Sequence, residues 1–165
     1  MSLQLASRLL DRRSIDKAYP LIRGILPSVS RERWAEFARS HLIARSAEWP
    51  KGLMTIQNTS GYILGLFGFE VRSELRNNRV LFIYNVIVPQ IPGRDLVWVA
   101  VMQTAETLAQ MNSCSAIHVN LSDDWNTFVG GRDWIQESLS DAGYSVEGIH
   151  AFKSVEAHGL SHGES

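Results

Sequence analysis

Residues 80–110 constrain the fold more than any other part of the chain: VLFIYNVIVPQIPGRDLVWVAVMQTAETLAQ. The segment begins with aromatic and β-branched residues that read as a strand. Pro92-Gly93 reads as a turn, and residues 96–110 as a helix, apolar at its start and amphipathic beyond it. A strand that enters a helix through a tight turn presents the free N–H groups of the helix start and the positive end of the macrodipole. Such a junction suits a phosphate-bearing ligand.

The other elements follow from periodicity. Residues 3–6 alternate apolar and polar as a short first strand would, although Leu9 and Leu10 leave a helical reading open. Ile15, Ala18, Tyr19, Ile22, Ile25 and Leu26 recur at helical spacing, with Ser14 as N-cap, Pro20 as a point of kinking and Pro27 as the stop. Ser30 caps a second helix with Trp34, Phe37, Ala38, Leu42 and Ile43 on one face. An antiparallel meander comes next: residues 53–57, the hairpin turn Asn58-Thr59-Ser60-Gly61, residues 62–72, the turn at 76–79, and the strand at 80–88. Gly65 and Gly68 mark a bulge or a close approach to the backbone. Residues 116–121 alternate as a strand, so strand, helix and strand make a right-handed crossover with the two strands parallel. After a polar loop, Asp133 with Gln136 caps a short helix that stops before Gly143, and residues 144–149 and 152–155 supply one or two last strands.

The fold expected is therefore α/β, with a mixed, mostly antiparallel sheet of about six to seven strands flanked by about four helices. Residues 1–156 form one domain and residues 157–165 a disordered C-terminal tail. Sixteen Lys and Arg nearly balance 17 Asp and Glu, so charge gives no reason to expect nucleic acid or an anionic membrane as partner. A single cysteine, Cys114, precludes an internal disulfide. Without a secretory layout or an apolar run near the ~20 residues of a spanning helix, the chain is expected in the cytoplasm.

This order of elements resembles that of the GNAT superfamily of N-acyltransferases over about residues 3–155. Ile87-Val88-Pro89 looks like the family's exit from its fourth strand, and Ala105-Glu106-Thr107-Leu108-Ala109 like the Glu-x-x-Ala of the following helix. Ser140-Asp141-Ala142-Gly143-Tyr144 is similar to its late glycine-aromatic segment. The resemblance implies transfer of an acetyl or other acyl group from acyl-CoA to a small-molecule or peptide amine, by direct attack and without a metal. It assigns the pantetheine arm to a splay beside the fourth strand, with backbone groups of Val86, Ile87 and Val88 on the thioester, and the pyrophosphate to the turn at Gly93, Arg94, Asp95 and Leu96. The base would be Glu70, Glu74 or a water held by Tyr84 or Asn85.

Three departures qualify that implication. The family's two turn glycines fall on Leu96 and Trp98, which leaves Gly93 and Arg94 to serve in a shifted alignment. Asp95 would cap the free amides itself and repel an anion. The family's tyrosine acid in the last helix falls on Leu139, which cannot give a proton. These residues support two further readings: a catalytically inactive ligand-binding or protein-interaction module of the same fold, and a subunit that forms a homodimer through its sheet edge or apolar helix faces. Cys114 with His118 as nucleophile and base, His158 with His162 as metal ligands, and Asp123 with Asp124 as a cation site are each weaker than a structural role. Trp98 or Trp125 would close the crevice that the absent glycines would have opened.

Overall fold

The computed structural model describes residues 3–43, 46–121, 132–145 and 153. Its elements are β1 (Leu5–Leu9), α1 (Ile15–Ile25), α2 (Arg31–Ile43), β2 (Lys51–Asn58), β3 (Ile63–Glu74), β4 (Asn78–Ile87), α3 (Arg94–Met111), β5 (Ala116–Val119) and α4 (Arg132–Asp141). The five strands lie in the order β1-β2-β3-β4-β5, antiparallel except for the parallel pair β4–β5. Among the described residues this is the mixed, mostly antiparallel sheet with four helices that the pattern implies, with five strands where six to seven are expected. Of the strands expected at residues 144–149 and 152–155 only residues 144, 145 and 153 are described, and the tail lies outside the described residues.

The first strand falls two residues later than the alternation suggests. Leu5 pairs with Asn58 and Leu9 with Met54, and the Leu10 N–H donates to Leu53 O at 2.8 Å before the chain turns. That register delivers Leu10, fully buried, to the core beneath α1 and α2. Sheet pairing thus overrides the helical option at Leu9 and Leu10.

The pleat sends alternate strand residues to two cores. Met54, Ile56, Phe67, Phe69, Leu81 and Ile83 meet Val97, Val101 and Ala105 of α3 and Ile135 and Leu139 of α4. On the other face, Leu53, Leu66 and Ile87 meet Ile15, Ala18 and Ile22 of α1 and Trp34 and Ala38 of α2. α3 packs close over Gly65, where a Cβ would sit 2.7 Å from Val97 Cγ1. Pro20 lies inside α1, which runs through it.

The helix ends follow local chemistry. Ser14 occupies the N-cap position of α1 without a side-chain cap bond; its N–H and hydroxyl both go to Asp11 Oδ1, at 2.9 and 2.8 Å. Ser30 Oγ does cap α2, accepting from the Arg33 N–H at 3.1 Å. Asp133 lies inside α4, which begins at Arg132, and is not its cap. α4 closes with a reverse turn at Gly143 (φ +86°): the Gly143 N–H reaches Ser140 O at 3.0 Å and the Tyr144 N–H reaches Leu139 O at 2.9 Å. Among the described residues no helix is long and apolar enough to cross a membrane.

Candidate functional site

β4 and β5 pair from Val80↔Ala116 to Ile83↔Val119, and the Asn120 N–H adds a last bond to Ile83 O at 2.8 Å. β4 continues to Ile87 with no β5 residue beside it. Between the pairs Gly68↔Tyr84 and Leu66↔Ile87, β3 moves from 66 to 68 and β4 from 84 to 87, so β4 carries one extra residue. Asn85 takes it up at φ +49°, a left-handed value that asparagine accepts more readily than the β-branched residues around it. A bulge bends and twists the strand that bears it. Among the described residues no strand pairs with residues 84–87 on the β5 side, which leaves a row of backbone groups suited to an extended, amide-bearing ligand.

The side chains of Val86 and Val88 pack into the α3-side core and that of Ile87 into the α1/α2-side core, so these three residues offer a ligand their backbone. Tyr84 faces the α1/α2 side with its ring across Gly68, where a Cβ would meet Tyr84 Cε2 at 2.3 Å. Burial, and secondarily the Glu70 carboxylate, push the Tyr84 pKa up to about 12. Near neutral pH this phenol donates and does not accept a proton. Glu70 lies on the same face opposite Phe82, its carboxylate 2.8 Å from Arg72 Nη2. Glu74 sits at the far end of β3, where it accepts from Asn77 Nδ2 at 2.8 Å and faces His118 Nε2 at 3.7 Å. The structure therefore brings Glu70 and Tyr84 together and keeps Glu74 apart. Asn85 lines a cavity of about 170 Å³ beneath the α1–α2 connection.

At the start of α3, Gly93 is the N-cap residue at φ 87°, ψ 10°, with no side-chain cap. The Arg94 N–H donates to Ile91 O at 3.1 Å, and the Leu96 and Val97 N–H groups to Gly93 O at 3.0 and 3.3 Å. Among the described residues, the Gly93 and Asp95 amides have no acceptor. Asp95 does not cap the helix as its position suggests: its Oδ1 accepts from Trp134 Nε1 at 3.0 Å. The Arg94 guanidinium lies 4.4 Å from the centroid of the same indole, and Trp98 meets it edge-on at 5.7 Å. Trp134 of α4 thus gathers three residues of the turn. Trp98 is buried in the α3-side core, where it also lines a cavity between α3 and α4 with Asp95 and Trp134; Leu96, half exposed, is the bulky residue that stands at the turn's surface.

Cys114 and His118 fall on opposite faces of the sheet, which removes the nucleophile–base reading. Cys114 packs with the α3-side core and burial pushes its thiol up, whereas His118 stacks on Phe82 at 5.0 Å. No group of three or more His, Cys, Asp and Glu suited to a metal occurs among the described residues. Asp123, Asp124, Trp125, His158 and His162 lie outside the described residues. Sequence reasoning missed the bulge, for which an asparagine amid β-branched residues was the available signal, and the role of Trp134, for which there was none.

No protein-family model matches the sequence, and no curated protein does. Solved structures do. The aminoglycoside N-acetyltransferase AAC(6')-Iy in complex with CoA aligns with a TM-score of 0.68 at 12% identity, covering 95% of this chain and 98% of that one. The aminoglycoside 6'-N-acetyltransferase AAC(6')-Ih from Acinetobacter baumannii gives 0.66 at 12% identity, with 93% and 100% covered. Glucosamine-6-phosphate N-acetyltransferase from Arabidopsis thaliana gives 0.66 at 16% identity, with 93% and 99% covered. The chain has the GNAT acetyltransferase fold over nearly its whole length.

Proposed function

We propose that this protein is a GNAT-type N-acyltransferase that moves an acyl group from acyl-CoA to a small-molecule or peptide amine. The observation that carries the reading is the bulge at Asn85, in the stretch 84–87 where β4 runs past the end of β5 with no strand on that side among the described residues. On this reading the pantetheine amides pair with that edge, and a backbone N–H at Val86, Ile87 or Val88 takes the thioester oxygen, where negative charge develops as the amine attacks. Glu70, or a water held by Tyr84 or Asn85, removes the amine proton. Tyr84, protonated because its pKa lies near 12, is the donor available to the departing thiolate in place of an acid at Leu139. Arg94 and the amides of Gly93 and Asp95 meet the pyrophosphate.

One observation favours a second reading, a ligand-binding module of the same fold without acyl transfer. Asp95 and Arg94 are engaged with Trp134, and Leu96 stands at the turn's surface, so the turn lacks the bare backbone that favours a diphosphate. Calorimetric titration with CoA and acyl-CoAs, followed by thiol release on adding a panel of amines, separates the two. Micromolar binding with amine-dependent thiol release supports the transferase; binding without release supports the module. Absence of binding to every CoA species would refute the first reading.

A further inference from the structure

From the cavity beneath the α1–α2 connection we infer, resting on the reading just given, that the acyl group carried is a hydrocarbon chain of about six carbons and not acetyl. The cavity has a volume of about 170 Å³ and walls of Ile22, Leu26, Val29 and Phe37 over a floor of Leu66 and Ile87. An apolar cavity of about 150 Å³ holds benzene, so this one holds roughly six carbon atoms.

Its place in the fold points to the acyl chain as occupant. Asn85 and Ile87 both line the cavity, and Val86 between them turns its side chain to the opposite core. A carbonyl held by an N–H of this bulge therefore has its substituent within a residue of the cavity.

Exposed Asn85 and Arg33 are the polar residues at the cavity's edge, and the other polar groups nearby are engaged. Trp34 Nε1 donates to Ile15 O at 2.8 Å, Tyr19 Oη donates to Val29 O at 3.1 Å, and Arg33 pairs with Glu36 at 3.3 Å in solvent. No carboxylate lines the cavity to receive an ammonium group. Glu70 accompanies Tyr84 on this face, and Phe37 and His41 stack in sequence toward that ring at 4.4 and 5.9 Å. A cationic acceptor is drawn to that polar side, and the hydrocarbon to the cavity.

The test is calorimetry of CoA, acetyl-CoA, butyryl-CoA, hexanoyl-CoA and decanoyl-CoA on the wild type and on Val29→Phe and Leu26→Phe. Both substitutions fill the cavity from partly buried positions on the α1–α2 side. Affinity should rise by roughly threefold to fourfold per methylene up to about six carbons and then level off or fall. Either variant that keeps the wild-type circular dichroism spectrum should bind acetyl-CoA as the wild type does and lose the gain with length. Equal affinity for acetyl-CoA and hexanoyl-CoA would overturn the inference and leave the transferase reading standing, whereas failure to bind any CoA species would remove both. If hexylamine outcompetes ethylamine as acceptor with acetyl-CoA while the esters show no dependence on length, the cavity serves the acceptor and the inference is overturned.

Discussion

Asp95→Asn separates two roles that one carboxylate plays at the start of α3. Asparagine keeps an oxygen for Trp134 Nε1, so the 3.0 Å bond can persist while the charge is lost. The charge lies in the helix's first turn and favours the folded state through the macrodipole by about 0.3–1 kcal/mol at an exposed position. The variant should therefore melt about 1–4 °C lower. Binding should move the other way. A diphosphate seated on the Gly93 and Asp95 amides would lie about 6–8 Å from that carboxylate, where each pair of like charges costs about 0.5–0.7 kcal/mol in water. Two to three phosphate charges give about 1–2 kcal/mol, or roughly 5- to 30-fold tighter binding of CoA by the variant. Raising the ionic strength from 0.1 to 1 M shortens the Debye length from about 10 to about 3 Å and should erase most of the gain. Calorimetry of CoA at both ionic strengths, with thermal melting alongside, measures both arms. An unchanged affinity, or an equal gain at both salt concentrations, would mean that the pyrophosphate does not sit at this turn.

Substitutions at four other positions test the rest of the site. Raising the pH from about 10 to about 12 should erode stability, because the unfolded chain releases the Tyr84 proton near the ordinary value of 10 while the folded chain holds it to about 12; chemical denaturation of Tyr84→Phe should show a shallower loss over that window. Asn85→Val forces a β-branched residue into φ +49° and should cost about 1–2 kcal/mol in urea denaturation, with loss of acyl transfer, whereas Asn85→Gly should fold normally. Of the two bulky turn residues, half-exposed Leu96 should tolerate glycine at about 1 kcal/mol, while Trp98→Ala should cost about 3–5 kcal/mol, measured in the same way, because it empties part of the core.

The fold was legible in the sequence where one physical signal acted alone. The 80–88 run carries aromatic and β-branched residues and no breaker, and the structure makes it β4 within two residues at its start. The turn Asn58-Thr59-Ser60-Gly61 has the residues its geometry requires: Asn58 Oδ1 accepts from the Ser60 and Tyr62 N–H groups, and Gly61 takes φ +83°. Legibility failed where partners distant in sequence compete. Asp95 is a helix cap by local rules, yet Trp134, 39 residues further on, supplies a donor that the helix's own amides do not outbid. Ser14 loses its capping role to Asp11 in the same way over a shorter span. The pairing of Glu70 with Tyr84 was also invisible, because it needs the register Gly68↔Tyr84, which only the assembled sheet sets.

The same long-range packing accounts for the leucine at the position where a tyrosine acid would be looked for. Leu139 is almost fully buried among the α3-side residues, and its carbonyl accepts the Tyr144 N–H in the turn that closes α4. Trp134, one helical turn and a residue earlier, is fixed on Arg94 and Asp95. α4 is thus anchored at both ends, inward at Leu139 and onto the α3 turn at Trp134. A tyrosine at 139 would add a phenol to a filled core, at a cost of about 1–3 kcal/mol, unless its hydroxyl found both space and a partner. On the proposed reading the proton donor must then come from the opposite face of the sheet. Tyr84 stands there, kept protonated by its burial against Gly68 and by the neighbouring charge of Glu70.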